Sequence, residues 1–234
     1  MANERLLPSV LTAAGIVFAG FLVGDAIRYT KKFESAVEVR GLDERLVRSD
    51  RASWQLNLAV TAATLPAAND ALVESGKALR EFLASQGFDE RELRAGPTYV
   101  SDAWANGMPN ARPESRYTVR GGVVLETAKV DAVEKVSQST GDLLKRGIRV
   151  DNSNVRYYFT DLNKVKTEML AAATANARQA AEAFAKDSKT RLGGIKSASQ
   201  GLFTIGAPLA EYEGETSVMK KVRVVTRVQY FLEK

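Results

Sequence analysis

Apolar and polar residues alternate from Ala52 to Ala62. Trp54, Leu56, Leu58 and Val60 fall on one face, and Ser53, Gln55, Asn57 and Thr61 on the other. A period of two is that of a half-buried strand. From Pro66 to Gly87 the spacing turns helical, with Ala68, Leu72, Leu79, Phe82 and Leu83 on one side and Gly87 as the stop. Glu92 to Trp104 reads as a second strand interrupted at Gly96-Pro97, followed by a turn-rich tip from Asn106 to Pro113. Alternation returns from Glu114 to Thr127 through Tyr117, Val119, Val123 and Leu125. Lys129 to Gly147 predicts a second helix, carried by Val133, Val136, Leu143 and Leu144. Arg149 to Thr160 predicts a further strand containing Tyr157, Tyr158 and Phe159. The order β-α-β-β-α-β from Trp54 to Phe159 is a split βαβ unit. The fold class is therefore α+β, with antiparallel sheets and helices packed on them.

This core precedes a long helix, Leu162 to Ser188, with an Ala-rich centre (Ala171, Ala172, Ala173, Ala175, Ala177, Ala180, Ala181) and Gly193-Gly194 as its stop. Alanine favours the helix and permits close backbone approach, so this helix should lie flat on a sheet or a neighbour. Ile195 to Ile205 and Ser217 to Glu233 read as the two C-terminal strands. The last is very regular, with Val218, Val222, Val224, Val228, Tyr230 and Leu232 facing one way. No linker composition interrupts the chain after residue 33. Residues 33–234 read as one α+β domain, or two halves tightly fused.

Residues 1–32 differ. Leu6 to Gly24 is a run of 19 uncharged residues, which as a helix covers about 28 Å of a ~30 Å hydrocarbon core. Pro8 lies near its start, and Arg28 and Tyr29 follow its end, where a snorkelling cation and an interfacial ring belong. A cleaved secretory signal would have a shorter apolar region and a small-x-small site, of which Gly24-Asp25-Ala26 is a poor imitation. The reading is an uncleaved, single-pass anchor whose partner is the lipid bilayer through residues 6–24, with Asp25 to Lys32 as a short link. Positive-inside counting would leave the body in the cytoplasm, but the rule is weak for a large domain translocated whole. Gly20 and Gly24 match a small-xxx-small helix-pairing pattern.

Composition narrows the chemistry. The 234 residues include no Cys and no His, which excludes disulfides, thiolate or imidazole zinc sites, Cys nucleophiles and His-based triads. The net charge of +5 is small and gives no concentrated basic face of the kind that binds nucleic acid. Lys220, Lys221, Arg223 and Arg227 make the last strand locally basic, which fits a solvated face whose charges protect an edge better than an anion-binding face. The acidic run Glu211, Glu213, Glu215 lacks the spacing of a calcium loop. Tyr157, Tyr158 and Phe159 alternate in direction, which favours core packing over a stacking platform. Arg120-Gly121-Gly122 and Gly193-Gly194 lack the spacing of phosphate loops. No carboxylate pair stands out. No catalytic residue, cofactor-binding residue or metal ligand is assigned.

Val37-Glu-Val-Arg-Gly-Leu42, Val47-Arg-Ser-Asp50 and Ala52-Ser-Trp54 resemble the opening of SIMPL-domain proteins, which have a strand, a Gly-containing turn and a return into an apolar strand there. The helix ending in Gly87, the Ala-rich helix and the closing Lys220-Lys-Val-Arg-Val-Val225 strand are similar to the family too, so the likeness runs from Glu34 to Leu232. The resemblance implies a bacterial envelope protein with its body in the periplasm. Its relatives include periplasmic immunogenic antigens, proteins of oxidative stress and eukaryotic kinase-binding signalling proteins, and some bacterial members form rings or channels. It implies no catalytic residues. The expected function is non-enzymatic: self-assembly or partner binding by an inner-membrane-anchored protein in envelope or oxidative stress. The expected partners are the bilayer, further copies of the chain and an envelope protein, without nucleic acid. The alternatives are a carboxylate-dependent envelope hydrolase and a cytoplasm-facing adaptor.

Overall fold

The computed structural model describes residues 14–25, 35–106, 113–139, 141–209 and 214–233. Residues 14–25 are helical. After them come β1 (Ala36–Arg48), β2 (Arg51–Ala62), α1 (Leu65–Ser85), β3 (Leu93–Ala95), β4 (Tyr99–Asp102), α2 (Ala103–Asn106) and β5 (Tyr117–Thr127). The chain continues with α3 (Val130–Ser137), α4 (Gly141–Lys145), β6 (Val150–Tyr158), α5 (Leu162–Asp187), β7 (Arg191–Gln200), β8 (Thr204–Gly206) and β9 (Met219–Glu233). It divides into two compact units: unit I is Met1–Glu44, Val165–Thr204 and Arg223–Lys234, and unit II is Arg45–Lys164 and Ile205–Val222.

Unit II holds the split βαβ. β2 lies between β5 and β6, and the sheet runs β3-β5-β2-β6 with β4 also on β5. All of these pairings are antiparallel, with Trp54 opposite Leu125 and Leu56 opposite Val123. The even-numbered positions of β2 and the odd-numbered positions of β5 bury their side chains against α1, α3 and α4, whose buried residues include Leu79, Leu83, Val133 and Leu143. Each such side chain contributes about 1.5–3 kcal/mol by leaving water. The indole of Trp54 stays satisfied in this core by donating to Ser153 Oγ at 2.9 Å.

Local chemistry sets the helix ends. Thr64 caps α1, its Oγ1 accepting from Ala67 N–H at 3.4 Å. At the other end Gly87 takes φ +89°, Phe88 N–H donates to the Leu83 carbonyl and Gly87 N–H to Ala84, the bonds of a Schellman motif. The helix predicted over Lys129–Gly147 is instead two, α3 and α4. The run Ser137-Gln-Ser-Thr-Gly141 offers the backbone turn bonds in place of helical ones, and Ser139 N–H accordingly reaches back to Val136 O. After the break Leu144 faces solvent, not the core as expected.

Unit I packs α5 on a sheet ordered β1-β9-β7, with β8 also on β9. Its core is Val39, Ala177, Ala181, Val228 and Tyr230. The buried stripe of α5, Met169, Ala173, Ala177, Ala181 and Ala185, recurs every fourth residue. Gly41 is not in a turn, as the family resemblance implied, but inside the continuous strand β1. A Cβ there would overlap the Ala173 carbonyl and lie 2.6 Å from Ala177 N, so glycine is what lets strand and helix touch. Gly193-Gly194 does not stop α5 either; both lie within β7. The stop is Lys189 at φ +55°, with Thr190 N–H donating to Ala185 O and Lys189 N–H to Lys186 O.

Among the described residues no helix is long and apolar enough to cross a membrane. The first part of the predicted span, residues 6–13, and the link from residue 26 onward lie outside the described residues, as does most of the Asn106–Pro113 tip.

Candidate functional site

Unit II carries a groove of about 400 Å³ between α1 and the β3–β4 side of its sheet. Leu72 and Val73 form one wall, Gly96 and Thr98 the other, the core residues Leu58 and Val123 lie sealed beneath it, and Lys77 stands at its edge. The helix brings these residues together because positions 69, 72, 73, 76, 77 and 80 share a face at helical spacing. The sheet contributes Gly122 to the lining, and Leu72 packs over Gly121. A Cβ on Gly122 would overlap the Leu56 carbonyl, and one on Gly121 would press on Leu72 Cδ2 at 2.9 Å. No carboxylate lines the groove. Arg80 is held by Glu90 at 2.6 Å, whereas Lys77 has no ion pair among the described residues.

Most other polar groups of unit II engage one another. Arg116 forms a two-pronged pair with Asp102, with distances of 2.7–3.1 Å, and its guanidinium lies 4.5 Å from the Trp104 ring and 4.8 Å from the Tyr117 ring. Arg116 thereby holds the Asp102 carboxyl down to about 2. Lys129 donates to Gly87 O, Asp89 and Glu92 at 2.8–3.1 Å. Burial pushes the Glu92 carboxyl up, but hydrogen bonds from Thr127, Asp89 N–H and Lys129 outweigh it and leave the group lowered. Asp50 is lowered for a similar reason: burial opposes, and Thr160 N–H, Asp161 N–H and the Thr160 hydroxyl prevail. A second cavity lies beside Arg48, Ser49 and Asp131. Its Arg48 is engaged by Asp131 and by Glu134 at 2.8 Å, and the buried Ser49 hydroxyl has no hydrogen-bond partner. The Ser49 hydroxyl apart, each of these groups ties elements together, and none lines the α1 groove.

The basic strand β9 is split by its pleat. Arg223 and Arg227 point outward and pair with Glu44 at 3.5 Å and Glu38 at 3.2 Å. Lys220 is not on that solvated face. It is 2% exposed, on the inward side with Val222 and Val224, and its ammonium donates to the Gly214 carbonyl. Burial pushes its pKa down. Of the acidic run, Glu215 pairs with Arg156 at 3.2 Å, while Glu211 and Glu213 lie outside the described residues. Tyr157 is buried and Tyr158 is 38% exposed, as alternation predicts. Among the described residues there is no group of three or more acidic side chains placed to hold a metal.

Unit I presents an open sheet edge. Among the described residues β7 pairs only with β9, and its residues 194–200 are exposed on both faces. Within that stretch Lys196 is the one charge, and Ile195 is 55% exposed. The Ala-rich seam of α5, in contrast, is consumed within unit I and offers no free packing surface. Neither the groove nor the β7 edge was assigned from sequence. The available signals were Gly76 inside an otherwise strong helix and the nearly uncharged run Gly193–Gln200.

Two antiparallel sheets, a split βαβ core, a long helix and closing strands define an α+β protein whose notable surfaces are a groove and an open edge. The chain belongs to the SIMPL family, described as "Protein of unknown function (DUF541)", whose model matches residues 37–229. No curated protein matches the chain well enough to count as a relative.

Proposed function

We propose that this chain is a membrane-anchored SIMPL-domain protein of the bacterial envelope, single-pass in the inner membrane, with its body in the periplasm. It acts without catalysis, by self-assembly or by binding an envelope partner, in envelope or oxidative stress. The observation that carries the assembly reading is β7, an edge strand bare on both faces. Its unpaired N–H and C=O groups form a template for another strand, and β7 carries little of the charge that edges normally use to discourage pairing. The occupant is a second copy: two β7 strands running antiparallel about Ser197 place Lys196 opposite Ala198, with no like charges facing. The anchor reading rests on the 19 uncharged residues from Leu6 to Gly24 and on residues 16–18 and 21–23, whose large apolar side chains are all exposed.

Crosslinking the full chain at native expression, then sizing the gently extracted complex, tests assembly. Ile195→Lys with Ala198→Lys should leave the circular dichroism unchanged and abolish the oligomer. A strictly monomeric native chain would sink the reading. Alkaline washing should leave the chain in the membrane, and a reporter fused after Lys234 should be active only in its exported form.

A further inference from the structure

We infer that self-assembly of this chain stops at a closed pair, because Asn176 closes the other edge of the unit I sheet. The inference rests on the assembly reading and deepens it: the partner at β7 is the β7 of one further copy, and no third copy follows.

Among the described residues the sheet β1-β9-β7 has two edges, one at β7 and one at β1. A sheet with both edges free adds copies head to tail, β1 of one on β7 of the next. Such heterologous contacts run on into rings or filaments. With β7 alone free, the contact is isologous, and two copies satisfy each other. The state of the β1 edge therefore sets the size of the assembly.

The backbone phase of β1 is fixed at both ends. Leu232 N–H donates to Ser35 O at 2.8 Å, and Ser49 N–H donates to Val218 O at 2.9 Å, in the same register. In an antiparallel ladder alternate residues bond the same neighbour. The odd-numbered residues of β1 therefore spend their N–H and C=O groups on β9. The even-numbered ones, among them Glu38, Arg40, Leu42 and Glu44, turn theirs to the edge. The Leu42 carbonyl is already taken: Asn176 Nδ2, from α5, donates to it at 2.7 Å. A strand adding to β1 would need that carbonyl and the space before it, and the amide occupies both.

Gly41 brings the amide there. A Cβ at this position would overlap the Ala173 carbonyl, so glycine admits α5 to the depth at which Asn176 reaches the edge. Asn176 is itself exposed and stands in an Ala-rich run, where asparagine weakens the helix relative to alanine. Core packing does not call for it; covering an edge does. Charge is not the guard, because Glu38 and Glu44 are drawn across onto Arg227 and Arg223 of β9. The β7 edge has no counterpart: among the described residues no side chain donates to a carbonyl of residues 194–200.

The test sizes the full chain, gently extracted in detergent, by native mass spectrometry across a concentration series. The native chain should reach two copies and grow no further. Asn176→Ala removes the donor and favours the helix, so growth in this variant is not a sign of unfolding. It should add third and later copies at concentrations at least about tenfold below any at which the native chain does, the margin of one hydrogen bond. In those longer assemblies amide hydrogen exchange should slow at Arg40, Leu42 and Glu44, whose N–H groups face the edge. Adding Ile195→Lys and Ala198→Lys to Asn176→Ala leaves one usable edge and should return the size to two copies or fewer, which non-specific aggregation would not do. A native ladder beyond two, or an Asn176→Ala chain that stays at two, overturns the inference and leaves the assembly reading standing. A monomeric native chain sinks the assembly reading and this inference with it.

Discussion

The two units bury a sheet against helices in opposite ways. Unit II fills the space with large side chains: Trp54, Leu56, Leu58, Leu79, Leu83 and Leu125 are all essentially inaccessible. Unit I removes the space instead. Ala173, Ala177 and Ala181 let α5 descend until its backbone meets β1 at Gly41, and Asn176 Nδ2 donates to the Leu42 carbonyl at 2.7 Å. The first solution draws on hydrophobic area, the second on close contact between atoms that bury little area each. One core should therefore fail when side chains shrink, and the other when they grow.

The largest expected effect is in unit II. Leu56→Ala should cost about 2–5 kcal/mol, the lost transfer energy plus the cavity left behind. Urea unfolding followed by Trp54 emission checks it, and a loss under 1 kcal/mol would show that this core is not the rigid one. The converse substitution belongs to unit I. Gly41→Val should cost about 1–3 kcal/mol or more through overpacking against Ala173 and Ala177, whereas Gly76→Val, where space is open, should cost nothing and gain a few tenths of a kcal/mol (~0.3) of helix propensity. Equal losses at the two glycines would remove the contrast between a forced and an unforced glycine.

Lys220 sharpens the comparison from the polar side. Its folded pKa lies below the ordinary 10.5, so the unfolded chain binds the proton more readily and stability should rise as pH climbs toward that value. Lys220→Met should stabilise unit II by roughly 1 kcal/mol at neutral pH and flatten this slope. Thermal unfolding between pH 7 and 10 measures both. The smallest effect is at Asp102. Its folded pKa of about 2 lies below the ordinary 3.8, so its contribution is complete above about pH 4 and is lost as pH falls toward 2. Asp102→Asn should lower the melting temperature slightly at pH 7, have no effect near pH 2, and so flatten that part of the acid unfolding profile. An unaltered acid limb would show that the Arg116 pair does not persist in solution.

Period-two and helical spacing were enough to place β2, α1, β5, β6 and β9 and to tell their inner faces from their outer ones, because each has one buried side and a regular repeat. They were enough for the β-α-β-β-α-β order as well. Local pattern failed where local forces are nearly balanced. The Lys129–Gly147 stretch has apolar spacing for one helix, yet its Ser-Gln-Ser-Thr-Gly segment is a poor helix former, and the break turned Leu144 outward. Lys189 adopts a left-handed conformation that no propensity rule assigns to lysine. The buried site of Lys220 followed from its even position in β9, but its charge masked that parity.

By itself, then, the sequence determined the fold class, the run of elements, the absence of thiol and imidazole chemistry, and the family to which the chain belongs. Those properties depend on residue type and short spacing, and both are carried along one dimension. Tertiary structure alone decided what the glycines are for. Gly41 and Gly122 exist because a distant backbone passes through the volume a side chain would occupy, and Gly76 faces space that nothing in the chain fills. It alone also decided that β7 ends its sheet and that the Ala-rich seam is spent inside unit I. A neighbour brought up from far along the chain leaves no periodic mark at the position it touches.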